Sequence, residues 1–388
     1  ILSEGDVLGE GIVLRGETIR PVPVATLSSF RDPCQLSSAK FEVFRKLGTG
    51  SYAVVFLVRE IISGYESPSA HQDIPFGDFD FAPRSSRVYG REFAIKCLSK
   101  ANLSLTELKV QMVEATIHQS LNLHHNIVTL HRTLETDSYL LLVLEYVPGE
   151  DLFYFLEQSR DNGDLDLASQ DAVASQQSTF TNTPPTPSLL SSLHPGQLLS
   201  PGRLRLIASM FSQMCEAVQA CHEQGVSHRD IKPENFIVTD GQGRGANGKL
   251  ERRVVVKLSD FGLATKDLYS SDMDCGSAPY MSYECRNNVG PTYATQSADI
   301  WSLGIVLINM LYHHNLWSDP CIGNEVFDQY RAQPIAFLMQ RSPGMTYEVA
   351  DFLANRVFCL LPTHDQERVR VTAREFGYWA RNLPHAMG

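Results

Sequence analysis

His228-Arg229-Asp230-Ile231-Lys232-Pro233-Glu234-Asn235, followed after a short strand by Asp260-Phe261-Gly262, is the stretch whose reading decides the fold. As plain chemistry it sets a carboxylate, an ammonium and a carboxamide within one octet, with a second carboxylate beside a glycine further on. Taken alone, the octet also fits a polar surface turn. Its spacing to the second triplet argues against that reading.

Outward from this stretch the chain has a clear order. Residues 203–224 read as a long amphipathic helix, with apolar residues at 207, 211, 214, 215 and 218. Short strands are expected at 236–239 and 254–258. Upstream, alternating apolar runs at 41–47, 52–60 and 91–98 predict strands, 104–121 a helix, and 128–134 and 139–147 strands again. From 294 onward the pattern is mostly helical. A strand-rich first part and a helical second part predict two lobes with a cleft between them.

Three stretches read as mobile insertions: 63–90 (SGYESPSAHQDIPFGDFDFAPRSSRVYG), 159–202 with its TNTPPTPS, and the Gly-rich turn 240–250 (DGQGRGANGKL). Their composition leaves too little apolar surface to offset the entropy of ordering.

Of 388 residues, 43% are hydrophobic and 20% charged, the balance of an ordinary globular protein. The formal net charge of −11 argues against nucleic acid or an anionic membrane as partner and tolerates a basic peptide. Eight cysteines occur singly with no CxxC pair, so free thiols in a reducing compartment are expected, without disulfides or zinc. The longest apolar stretch, Ile300 to Tyr312, is too short to span a bilayer and reads as a buried helix. No signal peptide is read, and Ile at position 1 leaves the natural start open.

With its triplet, the octet resembles the eukaryotic protein kinase family, serine/threonine type. The resemblance implies an α+β, bilobal kinase fold: a small antiparallel β-sheet lobe with one main helix, and a larger, mostly helical lobe. It implies a protein serine/threonine kinase using ATP and Mg²⁺. Asp230 would be the catalytic base and Lys232 would sit near the γ-phosphate, while Asn235 and Asp260 would hold the metal through hard oxygen ligands. The implied domains are an N-terminal extension (1–39), an N-lobe (40–146, insert 63–90), a C-lobe (147–382, insert 159–202) and a tail (383–388).

Other motifs extend the resemblance. Leu47-Gly48-Thr49-Gly50-Ser51-Tyr52-Ala53-Val54-Val55 is similar to the glycine-rich loop, with Ala53 in place of the third glycine. Gly9-Glu10-Gly11 lacks the strand and lysine that should follow and is a decoy. Ala94-Ile95-Lys96 resembles the strand-three lysine for the α- and β-phosphates. Its ion-pair partner is expected at Glu114 rather than Glu107, judged by the interval to His124-His125-Asn126-Ile127. Leu144 through Asp151 resembles the hinge, with backbone groups of Glu145 and Val147 on the adenine edge and Leu144 at the back pocket. Asp151 would bind ribose, cap the following helix, or both.

Residues 263–284 match the activation segment, with Ser277 expected near Asp230 and Lys232. The usual Ala-Pro-Glu is replaced by Ser282-Tyr283-Glu284, whose glutamate should pair with Arg370. Met273 stands where many relatives are phosphorylated. Flanking Asp272 and Asp274 are expected to supply the charge Arg229 needs, giving constitutive activity, unless Tyr269, Ser270 or Ser271 is modified instead. Asp299 should brace the catalytic-loop backbone. His124-His125 and His313-His314 are adjacent, which is not metal-ligand spacing.

Expected partners are proteins with Ser/Thr targets, with basic residues upstream read by Glu234 and Asp151; a third acid is replaced by Asn309. No nucleic acid and no membrane partner is expected, the chain should be monomeric, and the location cytoplasmic and/or nuclear. Thr183-Pro184 and Thr186-Pro187 read as proline-directed sites or simple turns, and Phe76 to Phe81 as a docking element or an ordinary loop. The resemblance spans about 40–382. The inserts and CGSAPYMSYECRN are similar to fungal kinases linked to nutrient and meiotic control. Residues 1–39, with GIVLRGETI, are expected to add a strand pair. A pseudokinase scaffold should have lost Lys96, Asp230, Asn235 or Asp260, and none is lost. A small-molecule kinase would generally lack the Gly276–Glu284 segment and Arg370.

Overall fold

The computed structural model describes residues 2–22, 38–50, 53–63, 87–163, 187–191, 198–244, 250–273, 275–361 and 370–387. The chain divides into two units, Ile1–Asn122 with Thr129–Tyr146, and Leu123–Val128 with Val147–Gly388.

The first unit holds β1 (Val7–Leu8), β2 (Val13–Leu14), β3 (Glu17–Thr18), β4 (Arg20–Pro21), β5 (Lys40–Thr49), β6 (Ala53–Ser63), β7 (Val88–Ser99), α1 (Leu105–Ser120), β8 (Leu130–Glu135) and β9 (Tyr139–Glu145). Seven strands form one sheet in the order β1-β5-β6-β7-β9-β8-β4, antiparallel at every pairing. Strand β9 runs Leu140-Leu141-Leu142-Val143-Leu144, unbroken where a half-solvated antiparallel strand would alternate. The reason is that both faces are covered. Leu140 and Leu142 pack with Leu98, Leu130 and Ala115 of α1, whereas Leu141 and Val143 pack with Leu8, Ile19, Phe41 and Phe93.

Leu8 and Ile19 come from the N-terminal segment and are fully buried, each worth about 1.5–3 kcal/mol of burial. The expected extra strand pair is β2–β3, turned by Arg15 and Gly16, both at positive φ (51° and 87°) as a tight two-residue hairpin requires. Strands β1 and β4 go further and join the main sheet at its two edges.

The second unit holds β10 (Gly149–Asp151), α2 (Leu152–Gly163), α3 (Pro201–His222), β11 (Phe236–Arg244), β12 (Leu250–Leu258), β13 (Tyr269–Ser270), α4 (Tyr283–Arg286), β14 (Tyr293–Ala294), α5 (Thr295–Tyr312), α6 (Glu325–Ala332), α7 (Pro334–Arg341), α8 (Tyr347–Phe352), α9 (Ala373–Ala380) and α10 (Leu383–Ala386). Helix α5 is buried on nearly every side, which is why its sequence is apolar all round. Trp301 on this helix meets Phe358 edge-on at 5.3 Å and Trp317 at 5.5 Å. No helix among the described residues is long and apolar enough to cross a membrane.

Several boundaries differ from the sequence reading. Strands β6 and β7 reach Ser63 and Val88, so the insertion read at 63–90 is shorter at both ends. Within 159–202, α2 continues to Gly163, a 3₁₀ turn runs Pro187–Ser191 with Leu190 fully buried, and α3 starts at Pro201. A single leucine at zero exposure anchors that turn despite its Ser/Pro-rich surroundings. The Gly-rich turn read at 240–250 is mostly ladder, with Gly241 opposite Arg253 and Arg244 opposite Leu250. A Cβ on Gly241 would lie 2.6 Å from Val255 Cγ2, so this glycine marks close packing, not a bend. Residues 123–128 join the second unit, where Val128 and Leu258 are linked through backbone bonds. The expected tail forms α10, with Leu383 fully buried.

Candidate active site

The loop after α3 is fixed by buried polar partners. Ser227 and Thr265 exchange both backbone hydrogen bonds, at 2.9 and 3.0 Å, and frame the segment between them. Asp299 of α5, 1% exposed, accepts the N–H of His228 at 2.9 Å and of Arg229 at 2.8 Å, and its Oδ2 lies 2.8 Å from His222 Nε2. A carboxylate this deep needs such donors to offset its desolvation.

Arg229 stands at φ 64°, a left-handed conformation costing a non-glycine residue about 1–2 kcal/mol. Besides Asp299, its guanidinium holds it there, donating to the Leu263 carbonyl at 2.7 Å and to Asp272 at 3.0 Å. Asp274, the other flanking carboxylate, lies outside the described residues. Gly276, at φ 113°, packs so closely that a Cβ would sit 2.8 Å from the Arg229 carbonyl oxygen. Only glycine meets both conditions.

Inside this frame Asp230, Lys232, Asn235 and Ser277 converge. Asp230 Oδ2 lies 2.7 Å from Lys232 Nζ, and Oδ1 accepts the Ser277 hydroxyl at 3.0 Å. Lys232 Nζ also donates to Ser277 Oγ at 3.1 Å. Asn235 Nδ2 donates to the Asp230 carbonyl at 2.7 Å and to its carboxylate at 3.2 Å. With Nδ2 so used, Oδ1 of Asn235 is the atom left to face a cation. Asp260, exposed and at φ 58°, follows Ser259, whose N–H and hydroxyl bond the Asn235 carbonyl at 2.9 and 3.1 Å. A carboxamide oxygen and a carboxylate tied together this way suit a hard cation such as magnesium.

In the first unit, Lys96 Nζ lies 2.7 Å from Glu114 Oε1, both side chains largely buried. Glu107 is engaged elsewhere: it accepts the Ser104 N–H at 2.7 Å in the capping box that starts α1. In the glycine-rich stretch, Gly48 pairs with Val55 and Leu47 stands at a break in strand register. The Gly50 N–H bonds the Ala53 carbonyl at 2.8 Å, and Ser51 lies outside the described residues. Among the described residues, a Cβ on Gly48 would meet nothing within 4 Å, and one on Gly50 only the Ala53 carbonyl at 3.8 Å. The described packing therefore does not demand these glycines, and the space they leave suits an approaching phosphate. Ala94 lies opposite Leu144, and Val55 opposite Lys96. The Glu145 N–H bonds the Thr129 carbonyl at 2.8 Å, and its carboxylate takes the Thr129 N–H at 3.1 Å.

In the second unit Val147 is buried, and Asp151 Oδ1 accepts the Tyr154 N–H at 2.8 Å, the capping role at the start of α2. Glu284 and Arg370 form a buried bidentate pair at 2.6 and 2.9 Å. Burial pushes the Cys275 thiol up to about 12, which removes it as a nucleophile at neutral pH. Sequence reasoning missed His222 and Ser259. His222 looks like any polar residue in the last turn of an amphipathic helix, and Ser259 acts through its N–H and hydroxyl on a backbone carbonyl, which no residue pattern marks.

The sequence matches the family described as protein kinase domain over residues 84–375. The chain belongs to this family. Its kinase domain is 31% identical over 266 residues to the Schizosaccharomyces pombe protein named negative regulator of sexual conjugation and meiosis, covering 63% of this chain and 46% of that one. It is 28% identical over 296 residues to serine/threonine-protein kinase ksp1 of the same yeast (76% and 48% covered). It is also 28% identical over 327 residues to that yeast's serine/threonine-protein kinase cds1 (80% and 54%). The chain spans about half the length of the curated relatives it matches. The likeness to fungal serine/threonine kinases thus holds, and the α+β kinase fold with it.

Proposed function

We propose that this chain transfers the γ-phosphoryl group of ATP to serine or threonine hydroxyls of protein substrates, with Asp230 as catalytic base. The observation that carries this reading is the Ser277 hydroxyl, held by Asp230 at 3.0 Å and Lys232 at 3.1 Å. An alcohol oxygen already sits where a base and a cation converge, as an acceptor hydroxyl must. Asp230 would orient and deprotonate that hydroxyl while Lys232 offsets charge on the transferred group. Asn235 and Asp260 would hold magnesium, which when bound neutralises charge on the phosphates. Lys96, oriented by Glu114, would pair with the α- and β-phosphates beneath the glycine-rich hairpin. Leu144, Val147 and the backbone of Glu145 would receive adenine, and Asp151 the ribose.

The Arg229–Asp272 pair supports activity that needs no phosphorylation of the activation segment, because a carboxylate already meets the guanidinium. The acids near the loop support a preference for basic residues upstream of the target. Glu234's carboxyl is pushed up, first by desolvation and then by the Asp230 and Asp151 carboxylates, a repulsion that a cationic side chain would relieve.

Radiolabelled transfer from ATP–Mg²⁺ to degenerate serine/threonine and tyrosine peptide libraries tests the reading. Incorporation into the first library, enriched for upstream Arg or Lys and unaffected by phosphatase pretreatment of the protein, is expected. No incorporation into either would support a scaffold instead. Activity abolished by phosphatase would sink the constitutive part alone.

A further inference from the structure

Helix α3 carries Arg205, Ser209, Ser212 and Glu216 along one side of a groove of about 610 Å³, which His125, Arg253 of β12 and Arg381 after α9 complete. From Arg205 to Glu216 this stripe extends about 16 Å at 1.5 Å per residue. An extended peptide of about five residues matches that length.

The charge of the groove is lopsided. Its one carboxylate, Glu216, is already held by Arg381 at 2.9 Å, with His125 at 3.8 Å. The side chains of Arg205 and Arg253, both exposed, have no hydrogen-bond or ion-pair partner among the described residues. Most other described arginines have a carboxylate partner, as Arg59 has Glu92, Arg286 has Asp319 and Arg374 has Glu223. The chain carries 44 acidic residues against 33 basic, so carboxylates are not scarce. In the neighbouring cavity on the same helix, Arg370 is matched by Glu284, leaving no surplus of cations.

We infer that this groove docks an acidic, Asp- and Glu-rich segment of a protein partner. Charge complementarity favours that occupant, and the length favours a peptide over a lone anion. If the partner is a kinase substrate, which rests on the proposed function, it is read at two places. A basic stretch would lie beside the target hydroxyl, and an acidic stretch would lie elsewhere in its chain.

Fluorescence anisotropy of a labelled alternating Glu/Asp peptide with the full chain tests this without ATP, so the outcome is independent of phosphate transfer. Wild type should bind, more weakly as salt rises. Arg205→Glu/Arg253→Glu should bind about tenfold more weakly or worse. A matched thermal unfolding curve verifies folding, and Arg205→Gln/Arg253→Gln replaces the double reversal if that variant unfolds. Fusing the acidic segment to a serine peptide should lower KM for wild type but not for the variant, with kcat on the unfused peptide unchanged. Equal binding by both proteins would overturn the proposal. So would complete displacement by inorganic phosphate, or tighter binding of a carboxylate-free phosphopeptide or an oligonucleotide.

Discussion

In the loop 228–235, the His228 and Arg229 amides hang on a carboxylate 1% exposed, and the left-handed arginine is held by three named bonds, to Asp299, Leu263 and Asp272. In the segment 2–22, Leu8 and Ile19 lie at zero exposure against the sheet, and charges such as Arg20, paired with Asp137, stay outside. The loop gains geometry from directional polar contacts, each needing a particular partner. The segment gains stability from apolar area, which many sequences supply. A polar network therefore fails sharply when one member is removed, whereas an apolar cover fails in proportion to the volume lost.

The largest effect should come from the buried pair that ties the activation segment down. Arg370→Ala strands Glu284 without its cation, and urea unfolding should show a loss of about 3–5 kcal/mol. A loss under 1 kcal/mol would mean polar pinning matters less here than the contrast requires. Leu8→Ala should cost about 3 kcal/mol by the same measurement. Its peptide-phosphorylation rate per folded molecule should stay near wild type, since the lost contacts are apolar and Leu8 takes part in none of the loop's hydrogen bonds. Gly16→Ala should cost about 1 kcal/mol, because alanine must take the positive φ that turns β2 into β3; no loss would show the turn relaxes freely.

The smallest effect is a pH dependence. Glu17's carboxyl is lowered to about 2, chiefly by the Ser138 hydroxyl and then by Thr136 and the Ser138 N–H. A carboxyl depressed in the folded state stabilises above its ordinary value near 4.5, and that contribution disappears as pH falls toward 2. Glu17→Gln should flatten that part of the stability profile; an unchanged profile would show that Ser138 contributes nothing there.

The same contrast explains what the sequence revealed. The loop was legible because its chemistry demands fixed residue types at fixed spacing, down to Ser277, Asp299 and the Glu284–Arg370 pair. Glu114 is separable from Glu107 by interval, and Ser104-x-x-Glu107 carries a second reason: it is a capping box, which occupies Glu107. The edges of the apolar scaffold were less legible. Leu190 is one buried leucine in a polar stretch, and Gly241 resembles a turn although a close neighbour requires it. The continuous Leu140–Leu144 run was the available sign that the sheet's second face is covered, whereas the two-residue strands β1 and β4 at the sheet's edges are too short to carry a pattern. His222 left no pattern at all, since its partner Asp299 is 77 residues away.

The most direct measurement compares wild type with Asp230→Asn for phosphate transfer to a serine peptide, ATP affinity and thermal unfolding in parallel. The account predicts transfer reduced by at least about 10²–10⁴-fold, with ATP affinity and unfolding temperature close to wild type. Transfer retained by Asp230→Asn would contradict the role given to this carboxylate and the account built on it.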